Sequence, residues 1–275
     1  MKVAKFGGSS LASAEQVQKV VDIIQADPQR RFVVVSAPGK RHADDTKVTD
    51  LLLATCEGLA ASKDVRPLLT EIYARYAAIA APFQVAPELL AEIQSALQQF
   101  LTLSPNDDPH FHDKILASGE DNNARLIAGI LQASGLAARY LNPEELGILV
   151  TDEPQNARIL PASYTKINAW AETEEILVIP GFFGYTEDGE ICTFSRGGSD
   201  ISGALVAAGV NAALYENFTD VDGIFSAHPG YVHHPEPIKE LTYREMRELS
   251  YAGFTVLHDD ALMPSYRAKI PVVIK

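Results

Sequence analysis

The chain has 275 residues, 47% of them hydrophobic, enough apolar material for one large α/β domain or two closely packed lobes. A formal net charge of −13 argues against nucleic acid or an anionic membrane as partner, so any phosphate site has to be built locally from a few cations and backbone N–H groups. Only Cys56 and Cys192 are present, in no CxxC spacing, which argues against a disulfide scaffold or a thiolate zinc site and suits a reducing, cytoplasmic compartment.

Lys2-Val3-Ala4-Lys5-Phe6 predicts a strand entered at residue 2 without a signal-like segment, and it runs straight into the turn Gly7-Gly8-Ser9-Ser10. Ser13-Ala14-Glu15-Gln16 has the form of a capping box, followed by Val17, Val20, Val21 and Ile24 on one helical face. Phe32-Val33-Val34-Val35 is a short apolar run of the kind found in buried parallel strands, which completes a βαβ unit. Residues 48–131 read as an inserted helical layer, broken near Pro67, Pro82, Pro87 and the turn cluster 104–109. Short strands are expected at 137–141, 147–150 and 157–160, a helix at 161–171, and a buried strand at 176–179 ending at Pro180-Gly181.

The segment 186–190 has hairpin-tip chemistry, so 182–194 is expected to form a β-hairpin leading to Arg196. Ile201, Leu205 and Ala208 mark the next helix, residues 212–215 the next strand, and 271–275 a last one. Alternating strands and helices predict a mostly parallel sheet covered on both faces, with a soft boundary near residues 180–184 between lobes 1–180 and 181–275. No run approaches the ~20 apolar residues of a membrane span.

Two Gly-rich turns after strands carry the chemistry. Thr193-Phe194-Ser195-Arg196-Gly197-Gly198-Ser199-Asp200 places a guanidinium, free backbone N–H groups and a carboxylate at a helix start, which suits a small zwitterion or a phosphate. Arg196 and Asp200 could grip the two ends of an α-amino acid, or simply pair over a helix N-terminus. Lys5, inside an apolar strand beside a glycine turn, has little reason to be there unless its charge is used, although a lysine on an edge strand can point outward. None of the seven histidines has a helical metal-ligand spacing, so no dedicated protein metal site is expected.

In order along the chain, Lys5-Phe6-Gly7-Gly8-Ser9-Ser10, 194–200, Phe218-Thr219-Asp220-Val221-Asp222-Gly223-Ile224, Val256-Leu257-His258 and Ile270-Pro271-Val272 resemble the aspartokinase catalytic domain of the amino-acid kinase superfamily. The resemblance implies a three-layer αβα sandwich with a mostly parallel central sheet. It further implies an aspartate-binding lobe at 1–180, an ATP-binding lobe at 181–275, and ATP-dependent phosphorylation of the side-chain carboxylate of L-aspartate with Mg²⁺ carried in on the nucleotide. This is the first step of lysine, threonine and methionine biosynthesis. ACT regulatory domains follow in full-length family members; the chain stops before them, so it is expected to act as an unregulated core, with a homodimer possible.

By the same resemblance Lys5 and Asp200 are catalytic. Ser36, Thr49, Glu120, Arg196 and Asp200 bind the amino acid, while Lys5, Gly7, Gly8, Ser9, Thr219, Asp220 and Phe225 bind the nucleotide. The charged loop 38–47 is longer than in many members. Two departures lower the cation count at the ATP site. Gly230 in His228-Pro229-Gly230 stands where an arginine is usual, and Thr255 in Ala252-Gly253-Phe254-Thr255 where a lysine is expected, so that Lys239, Arg267, Lys269 or a histidine substitutes, or nucleotide binding is weaker, or the chain belongs to a subfamily with a different phosphate clamp. A glutamate, acetylglutamate or carbamate kinase is the alternative enzyme reading, and a non-catalytic ligand sensor the alternative of another class.

Overall fold

The alternation of apolar residues along the first strands sets the architecture. In the computed structural model, which describes residues 1–195, 197–219, 224–225, 232, 236–251 and 259–275, β1 (Lys2–Phe6) and β2 (Arg30–Val35) are buried on both faces. Ala4, Phe6, Val33 and Val35 join one core, and Val3, Phe32 and Val34 join the other, as the period-2 geometry of a strand requires. Between them, Ser13 caps α1 (Ala14–Gln25) by accepting the Gln16 N–H at 3.4 Å, and the helix buries the predicted Val17, Val20, Val21 and Ile24.

The helical layer comprises α2 (Val48–Ala60), α3 (Arg66–Ala80), α4 (Pro87–Gln99) and α5 (Phe111–Ala133). Pro67 and Pro87 sit in first turns, where a missing N–H is tolerated. There follow β3 (Ala138–Tyr140), α6 (Pro143–Leu146), α7 (Ala162–Asn168), β4 (Ile176–Pro180) and the antiparallel hairpin of β5 (Phe183–Tyr185) and β6 (Ile191–Thr193). The chain continues with α8 (Gly198–Gly209), β7 (Leu214–Phe218), the pair β8 (Ile224–Phe225) and β9 (Pro237–Ile238), α9 (Tyr243–Tyr251), α10 (Asp259–Ala268) and β10 (Val272–Ile274).

The main sheet has the order β10-β7-β1-β2-β4-β3, and every neighbouring pair is parallel. Helices α1 to α5 pack on the Ala4/Phe6 face, α7 and α8 on the Val3/Phe32 face, giving three layers. The expected strands at 147–150 and 157–160 are not strands. Leu149 and Val150 form isolated bridges to Tyr185 and Ile159, because this stretch crosses the hairpin rather than joining the main sheet. The helix expected at 161–171 is shorter, and the strand expected at 212–215 begins two residues later at Leu214.

Glu216 of β7 is fully buried on the α1 face, where Arg30 of β2 meets it with Nε at 2.6 Å and Nη2 at 3.0 Å, and Lys275 adds a contact at 2.6 Å. That fork spans β1 and ties its two neighbours together.

Candidate active site

Because the main sheet is parallel, the C-terminal ends of its strands share one edge, and the order of strand addition reverses between β1 and β7. Crevices form outside such a switch point. The turns leaving the strands interlock there: Gly7 N–H donates to Phe218 O at 3.0 Å, Ser36 N–H to Phe6 O at 3.1 Å and Gly181 N–H to Val35 O at 2.9 Å. A cleft of about 280 Å³ opens at this edge, and five residues singled out from the sequence line it: Lys5, Ser36, Thr49, Glu120 and Asp200, with Phe182, Ser195 and Gly197-Gly198-Ser199 completing the wall.

Lys5 follows the same parity as Val3, so its side chain crosses to the α8 face. Its Nζ lies 2.7 Å from Asp200 Oδ1, and the residue is only 6% exposed. Asp200 occupies the first turn of α8, where unpaired N–H groups favour an acid. Asn217 stands directly opposite Lys5 in the β1–β7 register, and its Nδ2 donates to the same Asp200 oxygen at 2.9 Å. Buried Lys5 and Asn217 and the half-buried Asp200 thus form one cluster on three elements. The α8 start can come this close only because residue 198 is glycine: a Cβ there would stand 2.5 Å from the Phe182 ring.

Glu120 projects from the middle of α5 and accepts the Ala37 N–H. Burial pushes its carboxyl up to about 8, the hydrogen bond opposing that shift. Its Oε2 is buried and has no hydrogen-bond partner among the described residues. One turn further along α5, Asn123 Nδ2 donates to Ser36 O at 2.6 Å and fixes the end of β2.

Loop 38–47 links Ser36 to Thr49 and is held from two sides. Gly39 N–H donates to Gly8 O at 2.8 Å, and the backbones meet so closely that a Cβ on Gly8 would lie 2.9 Å from Ala37 O. From α3, buried Arg75 donates to Gly39 O at 2.9 Å, Asp45 Oδ1 at 2.9 Å and Thr46 O at 3.1 Å, while Arg41 grips both oxygens of Asp45 at 2.9 and 2.8 Å. The side-chain hydrogen bonds from Arg41, together with the nearby Arg75 charge, hold the Asp45 carboxyl well below the usual range.

Of the nucleotide candidates, Gly7 abuts both Lys5 Nζ and Thr219, and Gly8 and Ser9 begin the short 3₁₀ turn Gly8–Leu11. Phe225 is described only as backbone, in β8. Arg196 and Asp220 lie outside the described residues, as do Gly230 and Thr255. Lys239, Arg267 and Lys269 are exposed. Sequence reading missed Asn217, Asn123, Asp45 and Arg75. The signal for Asn217 was available, a polar residue inside an otherwise buried strand; the other three act through contacts that no local pattern encodes.

A cleft that holds a buried cation paired with an acid and a second, buried acid in its wall, beside a glycine turn at a parallel-sheet switch point, can bind a charged metabolite and steady a moving phosphoryl group. The profile of the amino acid kinase family matches residues 1–275. The chain belongs to the amino acid kinase family. The chain is 50% identical to Aspartokinase 3 of Bacillus subtilis over 275 residues, an alignment that covers 100% of the chain and 61% of the relative. It matches the crystal structure of Clostridium acetobutylicum aspartate kinase with a TM-score of 0.83 at 35% identity, over 100% of this chain and 60% of that one. E. coli aspartokinase III in complex with aspartate and ADP matches with a TM-score of 0.87 at 28% identity, over 100% and 61% of the two chains. The chain therefore spans about three fifths of the length of these relatives. Among its described residues no helix is long and apolar enough to cross a membrane.

Proposed function

We propose that this chain carries the ATP-dependent kinase activity that converts L-aspartate to 4-phospho-L-aspartate, with the amino acid held mainly by residues 1–180 and the nucleotide by 181–275. The observation that carries the reading is Glu120: a buried carboxylate with an unpartnered oxygen, in a cleft that also holds the Lys5–Asp200 pair. An acid so placed calls for a cationic donor, and the ammonium group of an amino acid supplies one. Ser36 and Thr49, which line the same cleft, are the proposed hydroxyl donors for the acceptor carboxylate, and Arg196 is the proposed partner of the α-carboxylate. The 50% identity to an aspartokinase and the likeness to a kinase bound to aspartate and ADP support aspartate over glutamate, acetylglutamate or carbamate.

In the reaction a side-chain carboxylate oxygen of aspartate attacks the γ-phosphorus, the bond to the β,γ-bridging oxygen breaks, and ADP leaves with that electron pair. Such a transfer needs positioning and charge stabilisation rather than covalent help from the protein. Lys5, steered by Asp200 and Asn217, stands where acceptor and donor meet and offsets charge on the moving group. In the Gly7-Gly8 turn the Gly7 N–H is used by Phe218 O, so Gly8 is the proposed N–H donor to the phosphates. Magnesium, when bound, neutralises phosphate charge; Asp200 and the hydroxyls of Ser36 and Ser199 are the hard oxygen donors that suit an ion keeping most of its water.

A coupled ADP-release assay over a panel of carboxylate acceptors, with hydroxylamine to trap the acyl phosphate, tests the proposal. Aspartate-dependent ADP release with hydroxamate formation is the expected result. Equal or faster turnover with glutamate, acetylglutamate or carbamate would reassign the acceptor, and ligand binding without ADP release would make the chain a sensor.

A further inference from the structure

Away from the cleft, three segments distant in sequence converge on one point. His110 just before α5, Asp152 in the loop 151–156 and Cys192 of β6 place a ring nitrogen, a carboxylate oxygen and a sulfur within 4.8 Å of one another. His110 Nε2 lies 2.7 Å from Asp152 Oδ1, and Cys192 Sγ 3.9 Å from the same oxygen. These separations bracket the ~3.3–3.8 Å expected between ligand atoms held ~2.0–2.3 Å from a tetrahedral zinc ion. His110 and Cys192 are buried, whereas the Asp152 side chain is 64% exposed, so the cluster is walled on the protein side and open to solvent on one.

Two further features point the same way. The other ring nitrogen, Nδ1, faces Asp108 Oδ1 and Glu190 Oε2, each at 3.8 Å, and both carboxylates are steadied by Lys114 Nζ at 2.8 Å. Carboxylates behind the far nitrogen are the usual outer support of a metal-bound histidine, since they fix the ring and raise its basicity. The second feature is charge. Asp108, Asp152 and Glu190 are joined by Asp113, whose Oδ1 takes the N–H of Thr193 next to Cys192 and whose Oδ2 is buried without a partner among the described residues, while the one ammonium of Lys114 is shared by Asp108 and Glu190. Negative charge gathered around an imidazole and a thiol favours a cation.

We propose that His110, Asp152 and Cys192 bind a divalent transition ion of zinc's class, which clamps the β5–β6 hairpin to the start of α5. Imidazole and thiolate together select zinc or cobalt over magnesium and calcium, and three protein ligands leave a fourth position for solvent. Coordination displaces the Cys192 thiol proton to water. Cys192 lies three residues before Ser195, so the ion stiffens the strand that leads into the cleft wall Gly197-Gly198-Ser199. Sequence spacing does not reveal the site, because its ligands stand 42 and 40 residues apart. This inference does not depend on which amino acid the kinase phosphorylates.

The test uses the whole chain after reduction and chelation. Zn²⁺ is titrated by calorimetry, and Co²⁺ by absorption, where a thiolate-to-cobalt band reports the sulfur directly. One equivalent of either ion, the cobalt band, and a rise in Tm with Zn²⁺ are expected. Cys192→Ser should abolish the band while Cys56→Ser keeps it, and His110→Gln should weaken binding by about 100-fold. Asp152→Ala alters an exposed side chain and so tests the site without threatening the fold; it should weaken binding at least about tenfold. Absence of binding at millimolar Zn²⁺, a cobalt band that survives Cys192→Ser, or zinc affinity unmoved by Asp152→Ala would each overturn the proposal.

Discussion

Replacing Glu120 with glutamine removes a charge while keeping the shape of the side chain and its ability to accept the Ala37 N–H, which isolates what burial of the carboxylate costs. In the folded chain that carboxyl is raised from 4.5 to about 8, chiefly by burial. Between those two values the folded state holds a proton that the unfolded chain has released, so folding takes up a proton and stability falls as pH rises. The slope is about 1.4 kcal/mol per pH unit, and the accumulated cost reaches about 5 kcal/mol above pH 8. Below pH 4.5 both states are protonated and the cost vanishes. Urea unfolding of wild type and Glu120→Gln from pH 4 to 9 reads this directly, because the difference between the two curves cancels every other titrating group. The variant should match wild type near pH 4 and gain stability progressively up to pH 8. Aspartate binding should move the opposite way. The ammonium needs the ionised acid, so the wild-type Kd for aspartate should fall by roughly tenfold per unit from pH 6 to 8 and then level. In Glu120→Gln it should be flat over that range and about 30-fold weaker at pH 8, the scale of losing one charged hydrogen bond of about 2 kcal/mol. Parallel stability curves for the two proteins would refute the assignment of a buried, proton-holding Glu120.

Lys5→Ala should lower kcat by roughly 10² or more with the fold intact, as expected for one contact made to charge in the transition state; near-normal kcat in a folded variant removes Lys5 from the mechanism. Asn217→Leu releases Asp200 but leaves Lys5 in place, so kcat should drop by about tenfold with little change in the KM for ATP, and a KM effect alone would make Asn217 a nucleotide contact. Gly8→Ala drives a Cβ to 2.9 Å from Ala37 O and should cost about 1–3 kcal/mol, measured by urea unfolding, together with most of the activity. Asp45→Ala strips buried Arg75 of its counter-charge and should cost about 2–3 kcal/mol, more than Arg75→Met, which leaves Asp45 still gripped by Arg41; the reverse order would show that loop 38–47 is held by its backbone bonds to Arg75 rather than by the ion pair.

What the sequence by itself determined about this protein is what two periodicities and a few caps can carry. The 3.6-residue spacing behind Ser13 placed the buried face of α1, and the alternation of a strand sets Lys5 on the opposite face from Phe6 whatever its partner. The motif residues Lys5, Ser36, Thr49, Glu120 and Asp200 were legible because each sits at a strand end, a helix start or a fixed place in a family pattern, and the structure brings those five into one cleft. The three layers followed from the alternation of strand and helix signals, whereas the order of strands did not: pairing β7 with β1 joins residues more than two hundred positions apart, and a strand carries no mark of its neighbour. Only the tertiary structure decided that Asn217 shares Asp200 with Lys5, that Arg75 on α3 holds the loop between Ser36 and Thr49, and that His110, Asp152 and Cys192 meet. These contacts are made by single polar side chains across the packed layers. Their energy comes from burial and from charge brought close in space, and neither quantity exists until the chain has folded.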